Sequence, residues 1–123
     1  MITDAGLVLV RNWIRDGTGD PPTHVGVGLG TTAPRESETV MLREVFPTTS
    51  RTAPEVVRSE DVIHFRMTMG TADGSTASYA EQGLFTANTG GTMFSRLTHP
   101  DTEKSVSVVF ETILSVEVGS YLP

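Results

Sequence analysis

At Pro21-Pro22 the apolar pattern of this chain changes period, and that change constrains the fold more than any other feature. Before the prolines, Leu7, Val10 and Ile14 recur at helical spacing, with Trp13 beside them. Thr3 or Asp4 can serve as N-cap, and Asp16-Gly17 suits a stop because glycine tolerates the left-handed cap conformation. The spacing predicts one amphipathic helix over about 3–16. Pro21 and Pro22 lack an N–H and fix φ, so the helix cannot continue through them. Beyond them the alternation has a period of two, which is the period of a strand.

In 23–30, Val25, Val27 and Leu29 point one way while His24, Gly26 and Gly28 point the other. A face of glycines predicts close approach by another backbone or side chain. Thr31-Thr32-Ala33-Pro34 ends that strand. A second strand is expected over 39–46, stopped by Pro47, and the polar stretch 48–60 reads as a long loop or extended edge segment. The clearest alternation covers 62–69, and Asp73-Gly74 then predicts a hairpin into 78–85. A second hairpin through 86–91 leads to a strand at 92–97. Pro100 and Asp101 suggest a turn, and 105–117 closes the domain, with Val106, Val108, Phe110, Leu114 and Val116 on one face. Threonine and serine number 28 and glycine 12, a mixture that favours strands and tight turns over helices. The expectation is one domain over 1–123: a mainly β antiparallel sandwich or open barrel of about six strands, with one N-terminal helix. The β-domain runs over about 23–117 and a C-terminal tail over 118–123.

The absence of cysteine excludes disulfides, thiolate metal sites and a cysteine nucleophile, so stability must come from packing or assembly. Fifteen acidic residues against nine basic ones give a net charge of −6, which argues against a nucleic-acid partner. The longest apolar run, Leu7 to Val10, is far short of the ~20 residues of a membrane span. Met1-Ile2-Thr3-Asp4 has no basic region of the kind that opens a signal peptide. Eight of the nine basic residues are arginine, which fits either GC-rich coding or a high-salt host.

No group of residues reads as catalytic. His24, His64 and His99 lie 40 and 35 residues apart, without the close spacing of a zinc ligand pair. Gly26-Val27-Gly28-Leu29-Gly30 is followed by Pro34 and no helix, so it lacks the strand-to-helix setting of a phosphate-binding loop. Glu36 with Glu38, Glu60 with Asp61, and Asp101 with Glu103 fall in expected turns or loops and read as solvated. No Gly-x-Ser-x-Gly elbow is present. The sequence is expected to bind no metal or cofactor and to have no enzymatic activity.

A series of short stretches carries a resemblance. Ile2-Thr3-Asp4-Ala5-Gly6-Leu7 is followed by Thr23-His24-Val25-Gly26-Val27-Gly28, then Gly30-Thr31-Thr32-Ala33-Pro34 and Leu42-Arg43-Glu44-Val45. Later come Glu81-Gln82-Gly83-Leu84-Phe85 and Gly90-Gly91-Thr92-Met93-Phe94-Ser95-Arg96. In order and spacing, over nearly the whole chain, these resemble small structural proteins of tailed bacterial and archaeal viruses, often labelled tail-fibre or tail-associated. Gln82 stands where that family often has a small or apolar residue, and 119–123 runs past the expected last strand. The resemblance implies a non-enzymatic virion protein on the tail or capsid exterior. Its role would be a tail-fibre, baseplate or neck-associated subunit that binds other virion proteins and forms a homo-oligomer, a trimer or hexamer. A capsid decoration or turret protein is one alternative, and a receptor- or glycan-binding module is another. Docking candidates are Leu7, Val10, Trp13 and Ile14 on the helix and Tyr121 and Leu122 in the tail, with Asp73 and Asn88 as receptor-loop candidates.

Overall fold

The computed structural model describes residues 1–46, 51–59, 62–69, 77–104 and 110–117. Helix α1 (Asp4–Asp16) starts where Thr3 turns extended and its Oγ1 accepts the N–H of Gly6 at 2.9 Å. The same hydroxyl donates to the Met93 carbonyl at 2.6 Å, so the cap also ties the helix to a strand. Gly17 ends the helix at φ 63°, its N–H reaching the Trp13 carbonyl at 3.1 Å.

Among the described residues seven strands follow: β1 (His24–Gly28), β2 (Glu44–Val45), β3 (Glu55–Ser59), β4 (Val62–Met69), β5 (Ala77–Phe85), β6 (Met93–Lys104) and β7 (Phe110–Glu117). They form two antiparallel sheets, in the orders β2-β1-β5-β6 and β3-β4-β7. Among the described residues these do not close into a barrel. One core joins the two sheets. Val25, Val27, Tyr79, Leu84 and Phe94 come from the first and Phe65 and Met67 from the second. Leu9, Val10 and Trp13 of α1 pack on the same cluster, and Trp13 stacks on Phe94 at 5.9 Å. Residues ahead of the helix run along the outer edge of β6: Thr3 donates to Phe94, and Arg96 donates to Met1, each at 3.0 Å. That covers part of an otherwise open strand edge.

The mainly β class with an N-terminal helix is the fold that the period change predicts, but several details differ. The helix turns Gly6, Leu9, Val10 and Trp13 inward, whereas Leu7 and Ile14 remain 51% and 82% exposed. The strand expected over 39–46 shortens to Glu44–Val45, because the N–H groups of Leu42 and Arg43 bond a side chain instead of a ladder. Part of the polar stretch 48–60 is β3, an edge strand, as the extended-edge alternative expects, and it brings the strands among the described residues to seven.

The Asp73-Gly74 hairpin is not formed between β4 and β5. Those strands lie in different sheets, since β4 pairs with β3 and β7 while β5 pairs with β1 and β6. Asp73 and Gly74 themselves lie outside the described residues. Nor does the chain turn at Pro100: β6 continues to Lys104. Between the pairs Tyr79↔Thr102 and Glu81↔Thr98, three residues of β6 oppose one of β5, and Pro100 sits in that irregularity. A strand interruption of this kind tolerates a residue with no N–H.

Candidate functional site

The glycines of β1 and β5 mark the site. In the β1–β5 register, Gly26 faces Gly83 and Gly28 faces Glu81, so these residues share one face of the first sheet. It is the face turned away from the main core, since Val25 and Leu84 form the pair on the opposite side. A Cβ on Gly26 would lie 2.6 Å from Glu44 Oε2, one on Gly28 would run into Glu81 Oε1, and one on Gly30 would meet Glu81 Oε2 at 2.5 Å. The close approach that the glycine pattern predicts is therefore by carboxylates.

Two arginine clusters occupy this face. Glu81 is fully buried and Arg96 is 1% exposed. Arg96 Nε donates to Glu81 Oε2 at 2.9 Å, and Nη2 lies 2.7 Å from the same oxygen. Arg96 Nη1 reaches the Thr32 carbonyl at 3.0 Å and Glu38 Oε1 at 3.1 Å. Glu81 also accepts the backbone N–H groups of Arg43, at 2.8 Å, and Leu42, at 3.4 Å. The second cluster is a bidentate pair: Arg51 Nε and Nη2 bond Glu44 at 2.6 and 2.9 Å. Its guanidinium lies 3.5 Å from the centroid of the Phe85 ring, and Nη1 bonds the carbonyls of Ala87 and Gly90 at 3.1 and 2.7 Å.

Together these bonds fasten the segment between β1 and β2 across the sheet. Leu29 donates to Arg43 at 3.0 Å, which closes residues 30–42 into a loop. Met41 drops into a small pocket with Phe85 and Met93. The loop is thus held mainly by charge, and Val40 and Leu42 are left exposed on its outside, with Phe46 just beyond. Each carboxylate of the two clusters is already engaged by a guanidinium. The arrangement fastens the loop to the sheet.

The helix candidates divide into two pairs. Val10 and Trp13 are packed against the core, and Leu7 and Ile14 face outward. Asn88 is exposed in the 86–91 turn, where its carbonyl accepts the Arg51 N–H at 3.0 Å. Asp73, Tyr121 and Leu122 lie outside the described residues. The histidines do not converge: His24 bonds Thr23 at 2.9 Å, His99 bonds Gln82 at 3.1 Å, and His64 is on β4 in the other sheet. Among the described residues, no three His, Asp or Glu side chains group as metal ligands would. No helix there is long and apolar enough to cross a membrane.

No protein-family model matches the chain, and no curated protein matches it.

Sequence reasoning missed the two arginines and all their partners except Glu38, which it read as solvated. The available signal was Glu81 within a strand-patterned segment, together with Gly26 and Gly28 spaced two apart in another.

Proposed function

We propose that this chain is a non-enzymatic structural component of a tailed-virus particle, a tail-fibre, baseplate or neck-associated subunit that acts by self-assembly and docking. The observation that carries the reading is how the chain distributes polarity. It buries two arginine–carboxylate clusters to fix one surface loop, while large apolar side chains on that loop, on α1 and on β3 stay outside. Exposed apolar groups on several elements suit a surface that other proteins cover. The resemblance in motif order supports placing those partners in a virion, on the outside of its tail or capsid. Quantitative mass spectrometry of purified particles tests this: a low copy number per particle is expected. A high copy number would move the protein to a capsid decoration role, and absence from particles would end the virion reading. No turnover is expected on polysaccharide or peptidoglycan.

A receptor- or glycan-binding role has one observation in its favour. Arg51 pins the 86–91 turn through three backbone carbonyls and leaves Asn88 and Thr89 exposed, so the turn is a preorganised display. Under this reading, Asn88→Ala together with Asp73→Ala abolishes cell adsorption by particles that still assemble. Unchanged adsorption refutes it.

A further inference from the structure

The outer face of α1 has an ordered polarity of its own. Asp4 is exposed at its start, Leu7 and Val8 are exposed next at 51% and 43%, and Arg11 and Arg15 are exposed in its second half. Glu36 accepts the Asp4 N–H through its carbonyl at 2.7 Å and adds another exposed carboxylate at the N-terminal end. Arg15 lies 3.5 Å from its neighbour Asp16. Asp4 and Arg11 are seven residues apart, roughly 10 Å along the helix, too far to pair with each other. The helix dipole accounts for an acid in the first turn and a base in the last. It does not account for Arg11, which is near the middle.

We infer that α1 pairs with α1 of a second copy of this chain, antiparallel, about a twofold axis near Leu7 and Val8. This rests on the self-assembly reading above and names the surface that performs it. In that register each Asp4 lies level with the partner's Arg11 and each Leu7 level with the partner's Val8. Arg15 comes level with the stretch just before Asp4, where Glu36 lies. The charges select the register: placing Leu7 opposite Ile14 instead would bring the two copies of Arg11 together. A surface that is acidic at one end, apolar in the middle and basic at the other is self-complementary under a twofold, the commonest symmetry of homo-oligomers. In a hexamer, such a contact would join two trimers.

The chain contains no cysteine, so single cysteines report the register directly. Leu7→Cys sits within about 1.5 Å, along the axis, of its own copy and forms a disulfide-linked dimer under mild oxidation. Ile14→Cys sits roughly 20 Å from its copy and stays monomeric on a denaturing gel. In sedimentation equilibrium, Arg11→Asp and Asp4→Arg each raise the dimer Kd roughly tenfold, and the combined variant restores it. Thermal melts followed by circular dichroism establish that each variant is folded. Crosslinking at Ile14 but not Leu7, or equal Kd values across the charge variants, overturns the pairing. A monomeric chain that is nonetheless found in particles also overturns it while leaving the assembly reading standing. Absence from particles with an intact α1 dimer has the opposite meaning.

Discussion

Replacing Arg96 with methionine isolates the electrostatic part of the loop's attachment. Methionine keeps much of the apolar stem and removes the guanidinium. Four of its contacts are lost at once: two to Glu81, one to Glu38 and one to the Thr32 carbonyl. Among the described residues, Glu81, with no solvent exposure, is left with the Arg43 and Leu42 amides, at 2.8 and 3.4 Å. Removing one partner of a buried ion pair costs about 3–5 kcal/mol, because the remaining charge is stranded. For a chain of 123 residues, an unfolding entropy of about 2.1 cal/mol/K per residue turns that into a fall in Tm of about 12–19 °C. Adding Glu81→Gln removes the stranded charge, so the double variant is expected to melt above Arg96→Met alone. Circular dichroism melts measure the stability, and amide exchange at Leu42 and Arg43 reports the loop, since both amides lose their charged acceptor in the double variant. A fall below about 4 °C, or additive losses in the double variant, would refute the account of Glu81 and Arg96 as one buried unit.

Other substitutions probe separate links. Gly6→Ala improves intrinsic helix propensity by about 1 kcal/mol, yet its Cβ would run into the Phe94 carbonyl, so a lower urea midpoint is expected rather than a higher one. Arg51→Lys keeps the charge but loses the bidentate fork on Glu44, and should cost about 1.5–3 kcal/mol in urea unfolding while freeing the 86–91 turn. Burial raises the Tyr79 phenol above its ordinary value of 10.0. The folded state then holds that proton more tightly than the unfolded state. The resulting stability is fully present below pH ~10 and is lost as pH rises through the folded value. Alkaline unfolding of Tyr79→Phe should lack this component, and ultraviolet titration of the folded protein should show a late-ionising tyrosine that the variant lacks.

Local patterns were legible wherever one interaction decided them. The helix cap at Thr3, the stop at Gly17 and the alternation of β4 follow from nearest-neighbour chemistry, and each is in place. The β4–β5 pairing expected from Asp73-Gly74 does not form, because turn propensity is local and strand partnership is not. Both edges of β4 are taken by β3 and β7, the latter more than 40 residues downstream. The helix's buried face lies about a quarter turn from the stripe that the apolar spacing marks. Leu7, Val10 and Ile14 form a good apolar stripe, but Gly6 lets the backbone approach Phe94 more closely than any side chain would allow, and that contact sets the rotation.

The site was hidden for a related reason. Thr39-Val40-Met41-Leu42 contains three consecutive apolar residues, and no alternation says which of them turns inward. The choice is made from the sheet. Glu81 takes the N–H groups of Leu42 and Arg43, which fixes the height and direction of the backbone, and Met41 then falls between Phe85 and Met93. Its neighbours Val40 and Leu42 stay exposed on the outside, as flanking residues of an extended segment do. A purely apolar underside could have accepted Val40 or Leu42 instead, with the loop shifted by one residue. Carboxylates and guanidiniums with fixed donors and acceptors cannot slide in that way. The buried charges therefore determine which apolar side chains the loop displays, whatever they add to stability, and a displayed apolar surface is what an assembling subunit requires.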